Sequence, residues 1–316
     1  MGLEKLKAAH HQKARSLLFT GRKGFYRKSA FDSLVAHMPT PFVPPQKWPD
    51  RVTLAVRCAS RDEWNMLTVI DRLEWMRKLA VRTKFLKERW GEYAASDIEH
   101  WFVDFRSLLD HIASAVKELA SKPGQTSDSF QCLYAGSTGA KDQRFERTLG
   151  PEWVSLIQSA DWFPHLRNIR GAIVHFGAQA MVFGPPSDGI LFQITAKSHD
   201  YLIHWPEFMF NNNVVYFEKY AAHFMSHLVV FLDEFAAIAG RRLGIHLGRR
   251  PQNFHPGFGI LMKWITSTTR SLGRSPRTAL FCPRDSTRDR SRMVGENSNR
   301  LCLKPDWPLL DFMQEV

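Results

Sequence analysis

The chain has 316 residues, of which 44% are hydrophobic and 23% are charged, a balance typical of folded globular proteins and not of disordered ones. It contains no uncharged apolar run of about 18 residues, so no transmembrane helix and no membrane partner are predicted. The start of the chain has no apolar signal-peptide segment, and the four cysteines form no C-x-x-C pair. These features disfavour a secreted disulfide framework or a cysteine-rich zinc site, and they predict a reducing, cytoplasmic environment.

The formal net charge of +12 is concentrated at the two ends of the sequence. Residues 1–30 carry a net charge of +7 and residues 241–316 a net charge of +8, whereas residues 31–240 carry −3. Basic ends of this kind can attract a polyanion such as RNA without reading its sequence. The alternative is that they are solvated tails that aid solubility.

The first 60 residues are predicted to form a basic N-terminal arm and a linker. Residues 3–19 have helical spacing of apolar side chains, and five prolines between 39 and 49 indicate an extended segment. Residues 52–58 are compatible with a short strand. We therefore place a domain boundary near residue 60.

Residues 61–245 are predicted to form the folded body. Apolar residues recur every three or four positions from Asp62 to about Tyr93, which predicts a helix. Ser96 and Glu99 have the spacing of a capping box that would begin a second helix, ending before Pro123. Residues 122–150 are rich in Gly, Ser and Gln and are interpreted as a surface connection, because their glycines lack the Gly-Lys-Ser/Thr ending of a phosphate loop.

The second half of this body is predicted to contain three more helices and one hairpin. Short helices are predicted at residues 152–160 and 164–178, the second with Pro164 in its first turn. Apolar runs at 181–183 and 190–194 flank a Gly-Pro-Pro-Ser-Asp-Gly turn, which predicts a β-hairpin. A long helix is predicted from Asn212 or Asn213 to about Arg242. The fold class is therefore mainly α: an antiparallel helical bundle with a small β-hairpin, followed by a basic, poorly ordered tail over 246–316.

Residues 162–176 contain the pattern with the clearest chemical meaning. One helical face is predicted to be a core stripe; it comprises Trp162, Leu166, Ile169, Ile173 and Phe176. Gly171, Val174 and Ala178 form a second, small and apolar face that would allow another helix to approach closely. Arg170 and His175 border this second face, about 140° apart around the helix and about 7.5 Å apart along it. We therefore expect them to stay apart within one chain and to meet across a two-fold homodimer that contacts through Gly171 and Val174.

An Arg-x4-His sequence late in the third helix of an α bundle, before a hairpin and a long last helix, resembles the HEPN superfamily. The resemblance covers roughly residues 61–245. It implies a metal-independent endoribonuclease, without a cofactor, whose site is built from two copies of the motif at a homodimer interface. Arg170 and His175 match the family motif and are the implied catalytic residues. The position after the arginine, often polar in active members, is Gly171 here, and Asn168 lies two residues before Arg170.

Several other residues are candidates for supporting roles. Asn168, Arg167 and Asp104 are assigned as supporting residues, and no metal site is predicted. A structural alternative is that Arg170 pairs with an acid of the second helix, either Asp104 or Asp110. His223 and His227 lie four apart on the last helix but lack a third ligand, so they are interpreted as structural. His10 and His11 are interpreted as solvated.

The function predicted from the sequence is cleavage of RNA by this site. Two alternatives remain open. The chain could be a non-catalytic HEPN-like interaction or dimerisation module, or a nucleic-acid-binding protein that acts through its basic ends. The sequence identifies neither an RNA target nor an inhibitor protein.

Overall fold

The computed structural model describes residues 3–21, 24–27, 29–38, 48–139, 143–195, 208–211, 214–247 and 256–272. Within these ranges the chain is mainly helical, with ten α-helices and six short strands, as the sequence predicts. The helices are α1 (Leu3–Leu17), α2 (Ala30–Ala36), α3 (Asp50–Ala80), α4 (Lys84–Leu119), α5 (Phe130–Thr138), α6 (Gln143–Leu149), α7 (Pro151–Gln158), α8 (Phe163–Phe176), α9 (Phe217–Leu243) and α10 (Pro256–Leu272). The strands are β1 (Leu18–Gly21), β2 (Gly24–Arg27), β3 (Ala180–Phe183), β4 (Leu191–Ile194), β5 (Met209–Asn211) and β6 (Val214–Tyr216).

The long helices α3 and α4 form the most extensive helix pair among the described elements. Only residues 81–83 separate them, and so short a connection makes them antiparallel neighbours. The strand predicted at 52–58 is wrong, because these residues belong to α3. Val52, Ala55, Val56 and Ala59 are all buried at helical spacing, so burial against the core overrides the strand preference of the β-branched residues.

The helix boundary predicted at Ser96 is also wrong. Ser96 lies inside α4, and the Glu99 side chain accepts a hydrogen bond from the Ala180 backbone N–H at 2.7 Å. The break between the two helices occurs instead at residues 81–83. The capping-box pattern therefore marks a tertiary contact to β3 and not the start of a helix.

Helix α9 forms the centre of the core, and α1, α2, α7 and α10 all contact it. It begins at Phe217, after the strand β6, and not at Asn212 or Asn213. It ends at Gly244, whose φ of 67° is in the left-handed region that glycine tolerates. By length and composition α9 is the one helix in the described ranges that could cross a membrane, but 89% of its most apolar stretch is buried within the fold, as in a core helix.

The predicted hairpin is confirmed, since β3 and β4 pair antiparallel from Ala180–Ile194 to Phe183–Leu191. It belongs to a larger antiparallel sheet with the strand order β3-β4-β6-β5. Strand β3 packs against α4. The sheet therefore fixes the chain immediately after α8.

Residues 122–150 hold more structure than the predicted surface connection, because they include α5 and α6. Phe130 and Leu133 of α5 are buried against the core. The sequence did not predict these two short helices, because the segment is rich in Gly, Ser and Gln. Their role is to cover one side of α4 and α7.

The ends of the described chain pack onto the body. Helix α1 contacts α9, and α10 contacts α3 and α9. The boundary predicted at residue 60 falls inside α3, and residues Met1–Ser275 form one compact unit. The segment predicted as a poorly ordered tail contains helix α10. This helix is held against the body by four residues that are buried at helical spacing: Phe258, Leu261, Trp264 and Ile265. The proline-rich residues 39–47 and the chain after residue 272 lie outside the described residues.

Candidate functional site

Helix α8 carries the Arg-x4-His sequence and is held by one buried face. Trp162, Leu166 and Ile169 are buried, as the predicted stripe requires. The Trp162 ring contacts Phe105 of α4 at a centroid distance of 5.6 Å. These contacts fix the rotation of α8 and leave its other face outside the core.

The side chains of Arg170 and His175 are in direct contact within one chain. Arg170 Nη1 donates to His175 Nε2 at 2.9 Å. The expectation that the two residues stay apart is therefore wrong. His175 is exposed and Arg170 is half-buried, and the long arginine side chain spans the roughly 140° and 7.5 Å that separate positions five apart.

This hydrogen bond has a consequence for the imidazole. Nε2 accepts the bond only if it carries a lone pair, so the contact belongs to the neutral imidazole protonated at Nδ1. A protonated imidazole would place two cations against each other. The contact therefore places the Arg170 guanidinium on the ring nitrogen that would have to accept a proton from a substrate.

The Arg170–His175 pair lies in an open cleft of about 280 Å³ between α4, α5 and α8. Five of its lining residues are predicted site residues: Arg167, Asn168, Arg170, Gly171 and His175. Four others are brought there by the fold: Arg106, Asp110, Gln131 and Phe176. Sequence reasoning missed Arg106 and Gln131 because they come from helices far away in the chain. Asp110 was considered, but as a partner for Arg170.

Arg106 and Asp110 pair with each other at the base of the cleft. They form an ion pair one turn apart on α4, and the Arg106 guanidinium lies 5.3 Å from the centre of the Phe163 ring. Asp110 also accepts a hydrogen bond from the Phe130 backbone N–H at 2.8 Å, which ties α5 to α4. Asp110 is thus engaged by Arg106 and Phe130, and not by Arg170 as the structural alternative proposed.

Arg167 and Asn168 form the outer edge of the same cleft. Arg167 donates to the Asn168 side-chain oxygen through Nε at 3.3 Å and Nη2 at 3.0 Å. Asn168 therefore orients a second guanidinium beside Arg170. With Arg106 neutralised by Asp110, Arg167 and Arg170 leave an excess of positive charge that suits an anionic ligand.

Asp104, a predicted supporting residue, does not line this cleft. It lies on the side of α4 that faces α3, where it interacts with Asp62 and His100. Burial, together with the negative charge of Asp62, raises the pKa of the Asp104 carboxyl to about 6, while His100 opposes the shift. Asp104 and Asp110 are six residues apart, so they point to different sides of α4.

Gly171 and Val174 form a mostly exposed apolar face beside the cleft. A Cβ atom at Gly171 would meet nothing within 4 Å, and Val174 is 46% exposed. Phe176, predicted as a core residue, is 81% exposed. Phe176 is the last residue of α8, Gly177 caps the helix with a φ of 66°, and Ala178 beyond it is buried.

A second group of histidines lies in the interior and away from the cleft. His223 and His227 are buried on α9 with ring centroids 4.5 Å apart. His11 of α1 joins them, 5.6 Å from His223, and is buried and not solvated. In the described part of the chain, no group of three or more His, Cys, Asp or Glu side chains could hold a metal ion.

The chain matches no family model, no curated protein and no solved structure. The case for function therefore depends on the geometry of the cleft and on the resemblance of its motif.

Proposed function

We propose that the chain is a HEPN-like endoribonuclease that cleaves RNA without a metal ion, with its site at a homodimer interface. The observation that carries the proposal is the contact between Arg170 and His175 in an open cleft that also holds Arg167. The HEPN-like motif supplies the expectation that the anion is an RNA phosphate. The two uncompensated guanidinium groups of Arg167 and Arg170 suit such a ligand.

The proposed reaction uses the two residues in turn. A phosphate in the cleft competes with His175 for the Arg170 guanidinium, because a charged acceptor makes the stronger hydrogen bond. This releases the lone pair of His175 Nε2, which takes the proton of the ribose 2′-hydroxyl. The 2′-oxygen then attacks the phosphorus, and the bond to the 5′-oxygen of the next nucleotide breaks. The His175 imidazolium formed in the first step protonates that leaving oxygen. Arg170 stabilises the negative charge on the phosphoryl oxygens.

A second candidate function is a dimerisation or interaction module without catalysis. The exposed apolar face of Gly171 and Val174 favours it, because a second helix could pack there closely. The two candidates share this face. They differ in whether the Arg170–His175 pair performs chemistry.

The experiment is an RNA cleavage assay of the purified full chain in EDTA. His175→Ala and Arg170→Ala should each reduce the cleavage rate by at least roughly 100-fold, the usual size of a general acid–base contribution. Arg170→Lys should retain part of the binding and lose most of the rate, because an ammonium group cannot hold the phosphate with two parallel hydrogen bonds. Asn168→Ala should have a smaller effect, because Asn168 only orients Arg167.

Arg82→Ala is a matched control, since Arg82 is an exposed arginine outside the cleft. Circular dichroism must show that every variant keeps the wild-type helix content. Undiminished cleavage by folded His175→Ala contradicts the mechanism. Cleavage that stops in EDTA and resumes with magnesium contradicts the metal-independent proposal. A wild-type chain that dimerises but cleaves no RNA favours the interaction module.

A further inference from the structure

The exposed ring of Phe176 directly follows His175 and lines the same cleft as Arg167 and Arg170. A single exposed apolar residue needs no functional explanation. The informative observation is its position: a phenylalanine that is 81% exposed lines the same cleft as two guanidinium groups that suit an anion. One ligand that has both a flat unsaturated ring and an anionic group is a nucleotide.

The backbone on either side of Phe176 is firmly held. Before it, α8 packs its buried face on α4. After it, Ala178 N donates to Ala172 O at 3.1 Å, Gln179 N to Thr195 Oγ1 at 2.8 Å, and Ala180 N to Glu99 Oε1 at 2.7 Å. The ring is therefore presented to solvent from an anchored turn, so little backbone entropy is lost when a ligand stacks on it.

We propose that Phe176 is a stacking platform for a nucleobase next to the phosphate bound by Arg167 and Arg170, so that the site selects single-stranded RNA. The inference rests on the proposed function for the identity of the ligand as RNA. In a duplex, both faces of each base are covered by neighbouring bases. An aromatic side chain can stack only on a base that is unpaired and free to leave the stack.

The charge of the cleft argues for a nucleic acid over an apolar protein surface at this ring. An apolar partner that covered Phe176 would also cover Arg167 and Arg170, and it would remove their charges from water without compensation. A nucleotide can stack its base on the ring while its phosphate binds the guanidinium groups. The selection of single strands then follows from stacking and not from reading a base edge.

The test measures binding with RNA that cannot be cleaved. The probe is a mixed-sequence 2′-O-methyl oligoribonucleotide carrying 2-aminopurine, which lacks the attacking hydroxyl, used as a single strand and as a duplex. Phe176→Leu keeps an apolar side chain but removes the ring, and it should weaken single-strand binding roughly 5- to 150-fold, the range for loss of one stacked base. Phe176→Tyr keeps the ring and should retain the wild-type affinity and the quenching of 2-aminopurine.

Phe210→Leu is the control, because Phe210 is an exposed phenylalanine on β5 outside the cleft. It should bind both probes as the wild type does. The proposal is overturned if Phe176→Leu binds the single strand like the wild type. It is also overturned if Phe176→Tyr loses as much affinity as Phe176→Leu, or if the loss is the same for single strand and duplex.

These outcomes separate the stacking proposal from the ribonuclease proposal. If the wild type shows the Phe176-dependent preference for single strands but cleaves no RNA, the ribonuclease proposal fails and the stacking proposal stands. If the wild type cleaves RNA and Phe176→Leu binds and cleaves equally well, stacking fails and the ribonuclease proposal stands. If the wild type binds neither probe, the stacking proposal is overturned, and if it also cleaves no RNA, both proposals are overturned.

Discussion

At the scale of single residues, two carboxyl groups between α3 and α4 have a measurable effect on stability. Asp62 and Asp104 are partly buried on facing helices, and the pKa of each carboxyl is raised above its usual value, in each case chiefly by burial. For Asp104 the value is about 6. His111 moderates the effect on Asp62, with its Nε2 3.5 Å from Asp62 Oδ2.

The raised pKa of Asp104 predicts that stability falls as pH rises. The native state holds this proton up to about pH 6, whereas the unfolded chain releases it near pH 4. Between these values the native state binds more protons, so the free energy of unfolding decreases with increasing pH. Asp104→Asn should therefore be more stable than the wild type at pH 7, by about 1 kcal/mol after allowance for solvent screening. The two proteins should converge near pH 4.

Urea unfolding at pH 4, 5, 6 and 7 tests this prediction. Asp161→Asn serves as the control, because Asp161 is an exposed aspartate that lies outside α3 and α4. This control should show no gain in stability at pH 7. A wild-type advantage over Asp104→Asn at pH 7 would contradict the assigned burial of this carboxyl.

At the scale of elements, the end of α8 decides the geometry of the site. Gly177 adopts a φ of 66° directly after Phe176, and the chain then turns into β3. Ala178 after the turn is buried, and Phe176 before it is exposed. Phe176 is the last helical residue, so α8 sets the direction of its side chain, and the turn at Gly177 sets where the chain enters β3.

Two glycines of this region should respond in opposite directions to alanine. A Cβ at either position meets nothing within 4 Å, so sterics do not contribute. Gly177→Ala should lower the free energy of unfolding by about 1–2 kcal/mol, because alanine is strained in the left-handed region. Gly171→Ala should raise it by about 0.5–1 kcal/mol, because Gly171 lies inside the helix.

Chemical denaturation of the monomer, at a concentration confirmed by sedimentation, measures both effects. Destabilisation of similar size by the two substitutions would show that the backbone conformations are not as described.

At the scale of the whole molecule, charge and exposed apolar surface point to assembly around α8. The cleft gathers positive charge from Arg167 and Arg170, although residues 31–240 carry a net charge of −3. The adjoining face of Gly171 and Val174 has no covering from the described part of its own chain. A two-fold contact on this face would bring two copies of the cleft together.

The dimer hypothesis predicts a specific effect of bulk at position 171. Gly171→Leu should be tolerated by the isolated fold, because a Cβ there meets nothing within 4 Å. It should nevertheless separate two helices packed across this face. We expect sedimentation to show a dimeric wild type and a monomeric Gly171→Leu variant with the same circular dichroism.

Ala36→Leu adds similar bulk at an exposed helical position elsewhere and should remain dimeric. Equal monomeric mass for the wild type and Gly171→Leu would contradict the dimer. It would also remove the basis for a site shared by two chains.

The sequence alone determined the features that depend on local periodicity. The helical class, the hairpin at 181–194 and the buried stripe of Trp162, Leu166 and Ile169 follow from spacing along the chain. The same local reasoning failed at residues 52–58 and at Ser96. There, burial against other elements outweighed strand preference and a capping pattern.

Only the tertiary structure decided which side chains share the cleft. Arg106 and Gln131 come from α4 and α5, and no pattern within α8 identifies them. The contact between Arg170 and His175 depends on the conformation of a long side chain. The angular position of a residue on its helix does not specify that conformation. The path of the chain after Phe176 depends on hydrogen bonds to Thr195 and to Glu99 of α4. Such contacts join residues that are distant in the chain, so their energies are set by packing and not by local sequence.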